Sequence, residues 1–229
     1  MRKISTLIIF TCFLIPAFSQ KLAHIIIDNR GTSDVISFAI DESIFFNLTK
    51  DGKIIDWGVE DDRPGPKFFP PKLAKYMGRE EYYSATDDEA YRGKIKYLGS
   101  ALITYYTAND NEALKGKIKM IGSNFFTYYT AYDDAAFKGN IKTAGPVSFT
   151  YYASYDDESY RGKIKTVGAT SLAYYGMIDD KAFRGKIKNI DRNAFTYYSS
   201  YDRKEYSGMP KTPNQMAVSG GVQFLVKNY

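Results

Sequence analysis

The chain has 229 residues, 44% of them hydrophobic and 16% aromatic, and a formal net charge of +5. Arg2 and Lys3 supply two of those charges, so the rest of the chain carries +3, too mild a surplus to argue for a nucleic-acid partner. One histidine, His24, and one cysteine, Cys12, exclude histidine or thiolate metal clusters and histidine-based triads, and no cofactor is expected.

Residues 1–19 read as a secretory signal peptide. Arg2 and Lys3 form its positive head, residues 4–18 carry no charge, and Ala17 and Ser19 place small side chains where a signal peptidase needs them. Cleavage is expected before Gln20. The apolar run is short for a membrane span and contains Pro16. Cys12 lies inside this run, so the mature chain is cysteine-free, without disulfides, thiolate ligands or a cysteine nucleophile. No later segment is long and apolar enough to span a bilayer as a helix.

Residues 20–62 read as an N-terminal β cap, with Asp51-Gly52 as a type I′ turn between strands at 44–48 and 53–57. Residues 63–75, with Pro64, Pro66, Pro70 and Pro71, read as a linker.

Residues 76–207 hold a tandem repeat. Glycines fall at Gly93, Gly116, Gly139, Gly162, Gly185 and Gly208, a period of 23 with no slip. Tyrosine pairs keep that period from Tyr82-Tyr83 to Tyr197-Tyr198. Acidic pairs follow at Asp87-Asp88, Asp133-Asp134, Asp156-Asp157 and Asp179-Asp180, weakened elsewhere to Asp110-Asn111 and Asp202-Arg203. A fixed period means one supersecondary unit stacked on copies of itself.

The unit reads as a β-hairpin. Residues 137–142 alternate apolar and polar, as a half-buried strand does. Gly145-Pro146 supplies a turn, matched by Gly99-Ser100, Gly122-Ser123, Gly168-Ala169 and Asp191-Arg192. Residues 149–155 form a second strand, closed by the polar turn Asp156-Asp157-Glu158. Alternation then puts Phe137, Ile141, Phe149, Tyr151 and Tyr155 on an inner face, with Lys138, Asn140, Lys142, Thr150, Tyr152 and Ser154 outside. In the preceding copy Leu114, Ile118, Phe126, Tyr128 and Tyr132 fall inside. One hairpin buries too little apolar surface to offset the entropy of ordering it, so neighbours must share their faces. After Gly208, Pro210 and Pro213 break the array, and residues 208–229 form a C-terminal segment whose last strand is at 221–227. The expected fold is all-β: tandem hairpins in a coiled antiparallel sheet, open or rolled into a barrel-like array, with capping strands at both ends.

The phrase [Arg/Lys]-Gly-Lys-Ile-Lys followed by Tyr-Tyr and Asp-Asp, over Tyr76 to Gly208, resembles secreted, uncharacterised tandem-repeat proteins of Bacteroidetes bacteria, a resemblance that brings no established activity or site residues. A weaker likeness is to MORN repeats, hairpin units of the same length that open Tyr-x-Gly. Their inner Gly-x-Gly and fixed Asp-Gly turn are missing here, so this likeness implies only a coiled antiparallel sheet.

Three features could carry chemistry. The acidic pairs recur in unit after unit, which points to turn hydrogen bonding. Calcium is the alternative, but it usually wants six or more oxygens, commonly at a defined loop spacing. On the outer face, Tyr83, Tyr106, Tyr129, Tyr152, Tyr175 and Tyr198 form a ladder beside Lys115, Lys117, Lys119, Lys163 and Lys165. Such a ladder could stack on sugars or bind an extended anion, or its lysine stems could simply cover the rings. A hydrolase would need a single unrepeated cleft, placed between the N-terminal sheet and the array near Trp57 and Glu60. An outer-membrane barrel ending at Tyr229 would need longer strands with an apolar lipid face, whereas lysine repeats along one side here and Lys227 interrupts the terminal pattern. The expectation is therefore an exported, non-enzymatic protein with a structural or adhesive role in the periplasm, at the cell surface or in the medium. Its partners would be an envelope polysaccharide or another envelope protein.

Overall fold

The computed structural model of the protein describes residues 21–29, 34–40, 44–60, 72–212 and 215–228. The expected signal peptide and most of the expected linker lie outside these residues.

Two sheets account for the fold. Strands β1 (Lys21–Asp28), β2 (Val35–Ala39), β3 (Ile44–Thr49), β4 (Ile54–Glu60) and β5 (Leu73–Ala74) follow one another in the first sheet. The repeat array is the second, eleven strands in sequence order: β6 (Glu80–Tyr82), β7 (Ile95–Leu98), β8 (Ala101–Tyr105), β9 (Ile118–Ile121), β10 (Asn124–Tyr128), β11 (Ile141–Ala144), β12 (Val147–Tyr151), β13 (Ile164–Val167), β14 (Thr170–Tyr174), β15 (Ile187–Ile190) and β16 (Asn193–Ala194). A short helix, α1 (Ala108–Asn111), interrupts one loop. The last two strands, β17 (Met216–Ser219) and β18 (Val222–Lys227), return to the first sheet, where β18 pairs parallel to β1, Ile25 opposite Phe224. The strands expected as caps at the two chain ends thus join into one seven-stranded sheet, in the order β17-β18-β1-β2-β3-β4-β5. The array itself is open, with β6 and β16 at its edges.

The seven-stranded sheet covers the inner face of the array. One core runs through both, joining Ile25, Ile36, Phe46 and Phe224 to Ile118, Phe149, Ile164 and Ile187. Phe38 meets Phe126 edge-on across it, ring centroids 5.2 Å apart. Polar pins fix the register of the two layers. Asn29 is buried, donates from Nδ2 to Tyr197 Oη at 2.9 Å, and accepts from the Ile187 amide at 2.9 Å. The β3–β4 turn inserts into the array, where the Ile141 amide donates to the Lys50 carbonyl at 2.8 Å and Lys117 Nζ to that of Asp51 at 2.7 Å. That turn differs from the two-residue form expected: Thr49 closes on Lys53, leaving Lys50, Asp51 and Gly52 as a three-residue loop with Gly52 at φ +80°.

Each repeat forms its hairpin at the expected place, but the strands are shorter than expected. Gly145 (φ +58°) turns the chain between β11 and β12, and Asp191 (φ +47°) does so in the one copy that lacks the glycine. Residues 137–140, expected within a strand, belong instead to a long loop pinched at its base, with Tyr129 N to the Asn140 carbonyl at 2.9 Å and Gly139 N to the Tyr129 carbonyl at 2.8 Å. The positive φ of Gly139 (+79°) is incompatible with a strand at that point. A β-bulge at each repeat's long pairing then places two successive residues on the outside, so the buried positions in β11 are Ile141 and Ala144, three apart rather than two.

The repeated glycine has a second reason. At Gly162, Gly185 and Gly208 a Cβ would lie 2.6 Å from the carbonyl oxygen of Ala136, Ser159 and Ala182 in the preceding loop. Gly162→Ala combines that collision with a left-handed backbone, so it is expected to lower stability by at least about 1–2 kcal/mol. Gly93→Ala meets no neighbouring atom and adds only backbone strain. Urea unfolding of both variants checks the ranking; equal losses would contradict the packing role.

Candidate binding surface of the repeat array

The tyrosine ladder is built into the sheet. The second tyrosines are half-buried, and the first five donate their hydroxyls to a carbonyl 20 residues ahead: Tyr83 to Ile103 (2.8 Å), Tyr106 to Phe126 (2.7 Å), Tyr129 to Phe149 (2.9 Å), Tyr152 to Leu172 (2.9 Å) and Tyr175 to Phe195 (3.0 Å). The ring stands edge-on to the first tyrosine of the next pair, as Tyr129 does to Tyr151 at 5.8 Å and Tyr152 to Tyr174 at 5.9 Å. A lysine lies over each: Lys119 over Tyr106, Lys165 over Tyr152 at 5.2 Å, Lys211 over Tyr198 at 5.5 Å. These rings link hairpin to hairpin and are half-covered.

The lysines do not form one row. Lys115 pairs with Glu89 at 3.2 Å and Lys119 with Asp110 at 2.5 Å, both on the surface. Lys117 and Lys163, expected outside, turn inward. Their Nζ atoms donate to the carbonyls of Gly139 and Gly185 in the next repeat, and each lies over a buried tyrosine, Lys117 over Tyr128 at 4.8 Å and Lys163 over Tyr174 at 5.3 Å. Burial pushes both ammonium groups below their ordinary pKa. Each follows a positive-φ glycine, which re-aims it from the side that simple alternation assigns.

From the second pair on, the first tyrosine is buried, and four of these bond inside their own hairpin environment: Tyr105 to the Ile95 carbonyl, Tyr128 to Ile118, Tyr151 to Ile141 and Tyr197 to Ile187, at 2.9–3.0 Å. Tyr174 Oη, at the equivalent position, has no partner among the described residues. Burial raises the pKa of Tyr151 and Tyr174 well above the ordinary value.

The acidic pairs make the turns. The first aspartate closes its own loop, accepting from the amides of Thr130 (Asp133, 2.6 Å), Ala153 (Asp156, 2.6 Å) and Gly176 (Asp179, 2.7 Å). The second ties one loop to the next. Asp134 accepts from Ser154 N and Oγ, Asp157 from the Met177 amide at 2.8 Å, and Asp180 from Ser200 N and Oγ.

These loops expose what alternation had placed in the core. Tyr132 and Tyr155 were expected inside with Phe126 and Phe149, yet they stand at loop apices, 101% and 88% exposed, in line with Ile178 at 100% and Tyr201 at 94%. The strand ends at Tyr128 or Tyr151, and the loop begins before alternation would reach them. The signal was present in the sequence: the same position holds Thr86 and Asn109 in the first two copies, polar residues unsuited to a core.

Where a cleft was expected, a groove of about 590 Å³ opens, lined by Asp56, Trp57, Tyr76, Glu80 and Tyr82. Glu80 accepts from Trp57 Nε1 at 2.9 Å and from Tyr82 Oη at 3.3 Å. Glu60 lies instead 3.8 Å from His24 Nε2. Burial lowers the pKa of that histidine, with the Glu60 charge opposing. Compared with known proteins, the chain matches no family model, and no curated protein or solved structure matches it significantly.

Two outcomes are expected of the repeated polar groups. Tyr151→Phe leaves the Ile141 carbonyl without its donor and should cost about 1 kcal/mol, whereas Tyr174→Phe removes an unpaired hydroxyl and should be neutral or stabilising. Denaturant midpoints of the two variants distinguish them, and equal destabilisation would contradict the bonding scheme. Hydrogen bonds also hold several loop aspartates below their ordinary pKa: from Lys119 foremost for Asp110, whose value falls to about 2, and from the Thr130, Ala136 and Met177 amides for Asp133, Asp134 and Asp157. A carboxyl depressed in the folded state stabilises fully above its unfolded value of 3.8, and that contribution is lost as pH falls through the folded value. Stability should therefore be insensitive to these groups above about pH 5 and drop between about pH 4 and pH 2. A urea midpoint unchanged across that lower window would count against the turn role.

Proposed function

We propose that this chain is an exported, non-catalytic β-repeat protein with a structural or adhesive role at the cell envelope. The observation that carries the reading is the engagement of the repeated polar groups in the fold itself. Most hydroxyls of the paired tyrosines, the inward lysines and the paired aspartates bond to the backbone of an adjacent hairpin or to their own turn. Repetition of this kind supports a rigid surface-presenting body more than a single reaction centre, which needs one constellation of groups rather than several copies. The charged head, uncharged run and small residues at 1–19 support export.

The Tyr/Lys ladder as a glycan-gripping face receives less support, since its rings are half-covered and serve as links between hairpins. Changing Tyr129 and Tyr152 to serine would remove inter-hairpin bonds, so it would report on folding before it reported on binding.

Expression of the full chain with a C-terminal tag in a Gram-negative host, followed by cell fractionation and N-terminal sequencing, tests the reading. The expected product begins at Gln20 and is recovered in periplasm, envelope or medium. Unprocessed chain confined to the cytoplasm would overturn it.

A further inference from the structure

We infer that the row of loop apices Tyr132, Tyr155, Ile178 and Tyr201 is a binding strip for an extended, uncharged polysaccharide. The inference concerns a surface distinct from the Tyr/Lys ladder and holds wherever the chain resides.

The loops do not need these side chains. All six share one frame, in which the residue after the tyrosine pair donates its amide to an aspartate three positions on: Ser84 to Asp87, Thr107 to Asp110, Thr130 to Asp133, Ala153 to Asp156, Gly176 to Asp179 and Ser199 to Asp202. The apex is Thr86 in the first copy and Asn109 in the second, with the frame intact. In the four that follow it is Tyr, Tyr, Ile and Tyr, almost wholly in water. Single exposed aromatics are ordinary on a protein surface, but a row at constant pitch is not a scatter. The three tyrosine hydroxyls make no hydrogen bond within the described residues, so face and hydroxyl are both available to a ligand.

Three of the four apices are also tied to the loop before them. The residue just before an apex is bonded to the preceding loop: Ser154 to Asp134, Met177 to Asp157 and Ser200 to Asp180. A strip fixed in advance loses little entropy on binding. Successive apices are two strands apart, roughly 9.4–9.8 Å at ordinary strand spacing, which is about the length of one disaccharide in an extended β-1,4-linked chain. Each ring can then stack on the apolar face of every second sugar, as aromatic side chains do on base faces. Charge selects among polymers. In the loops at 130–138, 153–161, 176–184 and 199–207, acidic residues equal or outnumber basic ones, which disfavours a polyanion and leaves a neutral chain as the fitting partner. Weak contacts at several apices add through multivalency, so longer chains should bind better than short ones.

The test uses the mature chain from Gln20 onward and two soluble probes, the disaccharide and the hexasaccharide of β-1,4-linked glucose, by isothermal titration at low and high salt, with analytical ultracentrifugation alongside. Tyr132→Thr, Tyr155→Thr and Tyr201→Thr copy the residue that the first loop already carries, so folding should survive, and an unchanged melting temperature verifies it. Expected are hexasaccharide binding that is stronger than disaccharide binding, insensitivity to salt, and a loss of about tenfold for Tyr155→Thr. Absence of hexasaccharide binding, or binding untouched by all three threonine variants, overturns the inference. So does self-association that the same variants abolish, which would assign the strip to a second copy of the chain.

Discussion

Eleven strands that turn isoleucine, leucine and phenylalanine to one side cannot keep that side in water, and the cover for it comes from both ends of the same chain. Strands β1–β5 precede the array and β17–β18 follow it, yet they close into a single sheet through the parallel pairing of β1 with β18. The array thereby has a dry face against the seven-stranded sheet and a face turned to water. Burial of apolar surface drives this association, and buried polar pins such as Asn29 set its register, since an unpaired amide there would be costly.

Within the array, hairpins are joined to one another by a small set of recurring links. A tyrosine hydroxyl reaches the backbone of the following hairpin, an inward lysine reaches a glycine carbonyl, and an aspartate reaches the following loop. The glycines at 162, 185 and 208 let consecutive loops approach closely enough for those links to form. Repetition of the sequence is repetition of this joint, and residues that the joint does not use, such as Tyr132 and Tyr155, are left facing solvent.

The local pattern was legible. Period, hairpin turns, inward Ile141, Phe149 and Tyr151, and the turn role of the acidic pairs all follow from composition and spacing. Three things were not. The pairing of Ile25 with Phe224 joins residues almost a chain length apart, and no local signal encodes it. The bulge in each repeat and the positive-φ glycine before Lys117 and Lys163 break simple alternation, which alone puts those lysines on the wrong side. Extending alternation past the end of β12 likewise carried Tyr155 into the core, although the polar residues at 86 and 109 mark that position as a loop.

The dependence of the array on its cover is tested most directly by native-state hydrogen exchange, followed residue by residue. If the two sheets share one core, the amides of Ile25, Ile36 and Phe224 should exchange in the same global unfolding event as those of Ile141, Phe149 and Ile164, with the same denaturant dependence. Early, independent opening of the seven-stranded sheet while the array amides stay protected would contradict a shared core and make the array a body that stands without it.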